Sequence, residues 1–320
     1  MNILVIGGTR LLGRAIVKRL NAAGHLVTVV SRSCHEMIHG IEYVEAERII
    51  GLAKLRGRKY DITIDLIAYD ELALKQVFDC VDCGVYVLIS TTWITRLAPD
   101  VGADQPGLYI DNMNVKFLPA ITFSYLIGKL RAESAALEIG KRRGIATILR
   151  LPIFWGENEH TGRLDFYRQR INDGNPIICV NGGQNCAQLV WVEDVAAVVP
   201  KWIMRASEKL IWEALPNKGS KARDIINTLA SGKAKQSLLV DVSSEQLQAD
   251  LPEYLIGEPL WRENSLELTE SNLFTFTGGK PTPMSTWLCE LAKRDPLINM
   301  SNMRSNEIKY IKTLRNIGAG

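Results

Sequence analysis

Met1–Gly24 reads MNILVIGGTRLLGRAIVKRLNAAG, and this stretch decides the fold. Ile3-Leu4-Val5-Ile6 is a short, unbroken apolar run, as expected of a strand buried on both faces of a parallel sheet. Gly7 and Gly8 follow at once, then Thr9, Arg10, Leu11, Leu12 and Gly13, and then an amphipathic stretch. Within it Leu12, Ile16, Val17 and Leu20 share one helical face, while Arg14, Lys18 and Arg19 point away. Gly24 supplies the left-handed residue that ends a helix. A strand, a tight glycine turn and a helix N-terminus make an anion site, because free backbone N–H groups and the helix dipole converge on one point. The usual occupant is the pyrophosphate of a dinucleotide. One departure stands out: the motif spaces its glycines by three, and Arg10 replaces the middle one.

The next strand, His25–Val30, is β-branched and ends in Ser31-Arg32-Ser33. In a dinucleotide-binding unit the end of this strand meets the adenosine ribose. A carboxylate there accepts from both ribose hydroxyls, whereas an Arg suits a 2′-phosphate. Neither Val30 nor Ser31 is acidic and Arg32 lies just beyond, with Arg10 able to pair with the same phosphate. The reading therefore favours NADP(H) over NAD(H).

Further strands are expected at Ile41–Val44, Tyr60–Ala68, Gly84–Ser90 and Ile145–Arg150, with helices over Asp70–Cys80 and Ser124–Lys141. Strands alternating with helices in this rhythm predict an α/β fold, a doubly wound parallel sheet of the Rossmann kind. Residues 94–120 read as loop. Beyond Pro152 the texture changes, with helical patterns at Arg163–Asn172, Arg223–Leu229, Ser244–Leu251 and Thr286–Ala292, and a basic amphipathic tail at Asn306–Asn316. The expected division is 1–156 plus about 181–240 for the dinucleotide half. A smaller, partly discontinuous substrate lobe takes 157–180 plus about 241–320, at the sheet's carboxyl edge, where ligands of this fold bind.

Composition narrows the function. The chain has 320 residues, 38 basic and 35 acidic, for a net charge of +3. That charge argues against nucleic acid, which needs a clustered basic surface. No apolar run approaches the roughly 20 residues of a membrane span. The first strand begins at Asn2, which leaves no room for a signal peptide, and the six cysteines are scattered, so a reduced, cytoplasmic setting is expected. Cys80-x-x-Cys83 lacks both the context of a redox turn and a second pair for zinc; no metal site is expected.

Tyr125 and Lys129 lie one turn apart on the helix that follows the fifth strand, and that strand ends in Ser90-Thr91-Thr92. A neighbouring ammonium stabilises a phenolate, which makes an acid–base of a residue that is otherwise inert near neutral pH.

Five segments in order carry a resemblance. They are Gly7–Gly13, Leu88–Thr92, Tyr125-x-x-x-Lys129 with Ala132-Glu133, Leu149–Pro152, and Val192–Ala196. Over roughly residues 1–215 the chain resembles an extended or atypical short-chain dehydrogenase/reductase, the NAD-dependent epimerase/dehydratase family. The resemblance implies that Tyr125 donates the proton to a substrate carbonyl. It implies that Lys129 holds the nicotinamide ribose and tunes Tyr125, and that Thr92 hydrogen-bonds the substrate oxygen. Ala68 and Leu151–Ile153, Pro152 among them, would line the cofactor, and a homodimer would form through helices of this half.

Departures from the family pattern narrow the reaction. The sugar dehydratases carry Asp-Glu after the catalytic Thr, and here Trp93-Ile94 stands instead, which argues against elimination. Nucleotide-sugar members also carry an Arg shortly before the Val-x-Asp segment. Cys186–Val190 has no cation, leaving Arg163, Arg168 or Arg170 for that role. The GGTR loop and the Asp173–Pro176 turn resemble an atypical subgroup that includes chloroplast stem-loop-binding proteins, some of which bind RNA. The leading expectation is an NADPH-dependent oxidoreductase that reduces a carbonyl of a small metabolite in a biosynthetic setting. The alternatives are an epimerase-like enzyme with retained NAD and a non-catalytic NAD(P)- or RNA-binding protein.

Overall fold

The computed structural model describes residues 1–34, 36–97, 120–143, 145–157, 159, 161–216, 219–231, 238–260, 272–294 and 301–317. The chain divides into two compact units. The first comprises Met1–Phe154, Val192–Asn217 and Leu268–Pro281; the second comprises Trp155–Trp191, Lys218–Glu267 and Thr282–Gly320.

The first unit is built on strands β1 (Asn2–Ile6), β2 (Leu26–Ser31), β3 (Glu42–Glu45), β4 (Lys59–Asp65), β5 (Asp82–Thr91), β6 (Ala146–Leu151) and β7 (Ile211–Glu213). They form one parallel sheet in the order β7-β6-β5-β4-β1-β2-β3. Its helices are α1 (Leu11–Ala22), α2 (Arg48–Lys54), α3 (Glu71–Cys80), α4 (Trp93–Leu97), α5 (Ala120–Arg143) and α6 (Val192–Trp202). Apolar runs such as Ile3–Ile6 and Tyr86–Ile89 are wholly or nearly buried because helices cover both faces, as parallel sheets require. The strand order reverses between β1 and β4, where Ile6 pairs with both Val30 and Asp65. Carboxyl ends diverge at such a switch point, and ligands of doubly wound sheets bind there.

The sequence expectations for this sheet hold, with local differences. Helix α1 ends in the Schellman arrangement expected of Gly24: its φ is +81°, its N–H reaches Asn21 O at 2.9 Å, and His25 N–H reaches Leu20 O at 3.1 Å. Strand β4 stops at Asp65, three residues short of Ala68, because the Asp65 carboxylate takes the Ile67 N–H at 3.1 Å and turns the chain. Helix α2 carries no strong sequence pattern. Its Ile49 and Ile50 are exposed and only Gly51 and Leu52 are buried, so the apolar period is missing. Of the expected loop 94–120, residues 94–97 belong to the helix Trp93–Leu97 and Ala120 opens α5, while residues 98–119 lie outside the described residues.

The second unit differs in its bounds from the sequence reading. Residues 181–191 and 218–240, expected in the dinucleotide half, cluster with it instead. Leu239–Val242 pairs in parallel with Ile177–Val180, and Ser220–Lys221 pairs with Cys186–Ala187. The stretch 268–281, expected in the lobe, returns to the first unit, where the Phe276 ring packs 4.8 Å from that of Trp212. The basic tail is a packed helix, Ser301–Ile317. Its Glu307 accepts the Ile178 N–H at 3.1 Å and pairs with Arg170 at 2.8 Å, while Arg304 pairs with Asp173 at 2.7 Å. No helix among the described residues is long and apolar enough to cross a membrane. Cys80 and Cys83 are free thiols, on α3 and β5, and the described residues contain no group of three acidic, His or Cys side chains fit to hold a metal.

Candidate functional site

The glycines of the turn are tightly packed, Gly7 and Gly8 against the side chains of Ile67, Val5 and Val17 and Gly13 against the backbone of the turn itself. Gly7 sits at φ +89° and donates to Val30 O at 2.9 Å, tying the end of β1 to β2. A Cβ on Gly13 would lie 2.4 Å from Gly7 O, so the helix can start against the turn only with glycine there. Leu11 is held at φ +29°, a strained value for a branched residue. Helix α1 opens with Arg10 at its N-cap, without a side-chain cap and without an acidic residue in its first turn. No side chain therefore caps the first N–H groups of this helix, and no carboxylate in its first turn offsets the positive end of its dipole.

Thr9 Oγ1 lies 2.7 Å from Ser31 Oγ, which ties the turn to the end of β2, one residue before Arg32. Arg10 and Arg32 are both exposed. The nearby Arg14 is engaged, pairing with Glu36 at 2.6 Å. No carboxylate stands at Val30 or Ser31.

Beyond the switch point, Asp65 organises the end of β4. It is buried, and it receives both Arg48 Nη1 at 3.0 Å and Arg48 Nη2 at 2.5 Å, together with the Tyr86 hydroxyl at 2.8 Å. Burial raises the Tyr86 pKa well above its ordinary value, and the Asp65 charge adds to the effect. Next along the chain come the buried Ala68 and then Tyr69, half exposed.

Helix α5 crosses this edge. Tyr125, Lys129 and Glu133 recur every four residues, hence on one face. Glu133 is buried and bonded at both oxygens to the equally buried Arg150 of β6, which fixes the helix to the sheet. Lys129, only 3 % exposed, donates to Ala68 O and to Ile89 O, each at 2.8 Å. Burial lowers its pKa to about 8, against the pull of Asp65 and Glu133. Gly128 permits this approach, since a Cβ there would lie 2.2 Å from Tyr69 O.

Thr92 follows β5, with its N–H on Leu151 O at 3.0 Å. Its hydroxyl is completely buried and has no hydrogen-bond partner, as is the Ser90 hydroxyl two residues earlier. Orphaned buried hydroxyls are uncommon and point to an unmade contact. Pro152 is buried directly after β6. Tyr125 is 38 % exposed, and its ring centre lies 5.9 Å from that of Tyr69.

The candidate residues thus fall into two groups, the turn with Thr9, Arg10 and Arg32, and the β4–β5–α5 edge with Ala68, Thr92, Tyr125 and Lys129. One expectation takes a different form. The ammonium of Lys129, expected to tune Tyr125, is bonded to two backbone carbonyls and lies 4.7 Å from the ring centre of Tyr69. Sequence reasoning did not single out Tyr69, Asp65 or Arg48. The available signal was Asp65 itself, the lone carboxylate in Ile62–Ala68, followed by an aromatic residue. Of the three arginines offered as diphosphate partners, Arg168 is engaged by Asp165 and Leu291 O, and Arg170 by Glu307 and Phe166 O. Arg163 alone of the three is exposed.

Comparison with known proteins agrees with this architecture. No family model and no curated protein sequence matches the chain. Among solved structures it is similar to a UDP-N-acetylglucosamine 4-epimerase from Bacillus cereus, at 16 % identity and a TM-score of 0.63, over 92 % of this chain and 98 % of that one. It is similar to a dTDP-glucose 4,6-dehydratase from Bacillus anthracis in complex with NAD, at 13 % identity and 0.64, over 92 % and 96 %. It is also similar to the Bordetella bronchiseptica enzyme WbmF in complex with NAD+, at 15 % identity and 0.62, over 98 % and 97 %. The chain shares its fold with these solved structures.

Proposed function

We propose that this chain is an enzyme that binds a nicotinamide dinucleotide and carries out epimerase-type chemistry, a reversible oxidation and reduction at a carbinol carbon of a small hydroxylated metabolite. The observation that carries the reading is the β4–β5–α5 edge. A buried ammonium lies one helical turn from Tyr125, at the same edge as the Thr92 hydroxyl, which is buried without a partner. The residues present fit the dinucleotide, because the uncapped start of α1 and the glycine approach of Gly13 suit a pyrophosphate. Gly7–Gly13 would hold the pyrophosphate, Arg10 and Arg32 the adenosine ribose end, and Ala68, Lys129 and Pro152 the nicotinamide end. A bound nicotinamide supplies a hydride acceptor and donor. Tyr125 Oη exchanges the proton with the substrate oxygen, and Lys129 keeps positive charge near the phenolate so formed. Thr92 Oγ1 donates to the same oxygen, which settles its own unmet hydrogen bond. Trp93-Ile94 after Thr92 supplies no acid or base for elimination, so the dehydratase branch is not part of the reading.

The substrate class favoured by the structural neighbours is a nucleotide sugar. A second reading, a reductase with dissociable NADPH acting on a small carbonyl compound, is favoured by Arg10, Arg32 and the lack of a carboxylate at the end of β2. Nucleotide released from the purified protein by denaturation separates the two. Retained NAD is expected for the epimerase reading, whereas an empty protein stabilised by added NADPH supports the reductase. At about a hundred times its dissociation constant, a ligand stabilises by roughly 2.7 kcal/mol, readily seen as a thermal shift. Absence of both retained nucleotide and any shift with NAD or NADP overturns the proposal.

A further inference from the structure

Tyr69 is clamped in backbone and placed by side chain. On its N-terminal side Asp65 accepts the Ile67 N–H and is itself held by Arg48 and Tyr86. On its C-terminal side Asp70 caps α3, accepting the Ala73 N–H at 2.8 Å. The Tyr69 carbonyl packs where only a glycine, Gly128, fits on α5. Four residues after Asp65, the ring is thereby delivered to α5. It lies 4.7 Å from the Lys129 ammonium, and its centre lies 5.9 Å from that of Tyr125 at an angle of 59°.

Two of the three ammonium N–H groups of Lys129 are spent on Ala68 O and Ile89 O, and the π face of Tyr69 is the neighbouring electron-rich surface. The charged groups acting on Lys129 come from several elements: Asp65 at the end of β4, Glu133 on its own helix and Arg48 of α2. Tyr69 in turn is acted on by Asp65 and Arg32, while burial raises the pKa of its phenol, so the ring is neutral across the range in which Lys129 titrates.

We propose that Tyr69 is a positioning residue of this site, whose ring face, rather than its hydroxyl, holds the Lys129 ammonium in place, in tilted contact with the ring of Tyr125. The geometry is independent of any ligand. Its consequence for cofactor binding rests on the function proposed above. Cation–π contacts of about 0.5–1 kcal/mol correspond to roughly 0.4–0.7 of a pKa unit. Loss of the ring therefore lowers the Lys129 titration by about that amount, and an aromatic replacement preserves it.

The test uses the full chain labelled with carbon-13 at lysine Cε, titrated by NMR, with Lys129→Met identifying the Lys129 signal. In the unmodified protein the midpoint is expected near about 8. Tyr69→Phe is expected to keep that midpoint, Tyr69→Leu to lower it by about half a unit, and Tyr69→Trp to hold or raise it. An unchanged midpoint in Tyr69→Leu overturns the proposal. So does a fall in Tyr69→Phe as large as in Tyr69→Leu, which would assign the effect to the hydroxyl. Should Tyr69→Leu fail to fold, a midpoint in Tyr69→Trp below the unmodified value overturns it independently. Binding of NAD and NADP to the unmodified protein is measured separately. If neither binds while the midpoint follows the ring, the proposed function fails and the positioning role stands.

Discussion

Glu133 and Arg150 face each other across the α5–β6 contact through two hydrogen bonds, of 3.1 and 2.7 Å, with both side chains wholly removed from solvent. The pair binds the helix that carries Tyr125 and Lys129 to the sheet whose edge carries Thr92. The remaining nitrogen of Arg150 reaches Thr95 Oγ1 at 3.0 Å, and the Glu213 carboxylate lies 3.9 Å away. Burial in turn raises the Glu213 pKa above the ordinary carboxylate value, with the Arg150 charge opposing. Two desolvated charges contribute little net stability, yet breaking one partner leaves the other uncompensated.

Glu133→Ala is therefore expected to lose about 3–5 kcal/mol. Replacing both partners, as Glu133→Met with Arg150→Met, is expected to cost clearly less than the sum of the single changes. Urea denaturation of Glu133→Met, Arg150→Met and the double variant measures the coupling. Additive costs would show that the pair does not act as a unit.

Lys129 makes stability depend on pH in a defined direction. Its folded pKa of about 8 lies below the 10.5 of an ordinary lysine. Between those values the unfolded chain holds the proton more often than the folded one, so stability rises with pH across that window. The burial penalty is felt in full below about 8 and is gone above the unfolded value. Denaturation curves at pH 7, 8, 9 and 10 are expected to rise relative to those of Lys129→Met, with the difference confined to the window. A difference that does not vary with pH would contradict the placement of a charged ammonium at this edge.

Gly128 gives a prediction opposite to helix propensity. In a solvent-facing helix Gly→Ala stabilises by about 0.8–1 kcal/mol. At Gly128 the new methyl would lie 2.2 Å from Tyr69 O, backbone that is anchored on both sides. Overpacking of this kind costs about 1–3 kcal/mol. Gly128→Ala is expected to destabilise and to lower the Lys129 titration midpoint, because the same movement takes Tyr69 off the ammonium. Calorimetry and the lysine NMR titration measure the two effects together.

Much of this architecture is legible in residue patterns, and the exceptions have physical causes. Strands such as Ile3–Ile6 and the glycine turn announce themselves because burial on both faces and close backbone approach each leave few residue choices. Tyr125 and Lys129 are visible as a pair because helical spacing is local. The partner that Lys129 meets is not local: Tyr69 lies 60 positions earlier, delivered by the turn that Asp65 enforces. Helix α2 carries little periodic signal because it buries little, and its Arg48 matters through an ion pair 17 residues away. The extent of the second unit is not written in local patterns, because Leu239–Val242 pairs with Ile177–Val180, a partner far off in sequence.

Arg32 provides the test of cofactor choice. It follows Ser31, whose hydroxyl is tied to Thr9 of the glycine turn, so strand end and turn form one rim with Arg10 on it. A charge-assisted contact to a 2′-phosphate contributes about 1.5–3 kcal/mol, or roughly a 10- to 100-fold change in affinity. Arg32→Ala is expected to weaken NADPH by about that factor and NADH by no more than a few-fold. Ser31→Asp, which puts a carboxylate where the ribose hydroxyls would lie, is expected to weaken NADPH relative to NADH by repelling the phosphate. Fluorescence titration of the reduced dinucleotides against the three proteins reads both effects. Equal losses for both dinucleotides in Arg32→Ala would remove the 2′-phosphate from the account and leave Arg32 as a general anchor of the pyrophosphate.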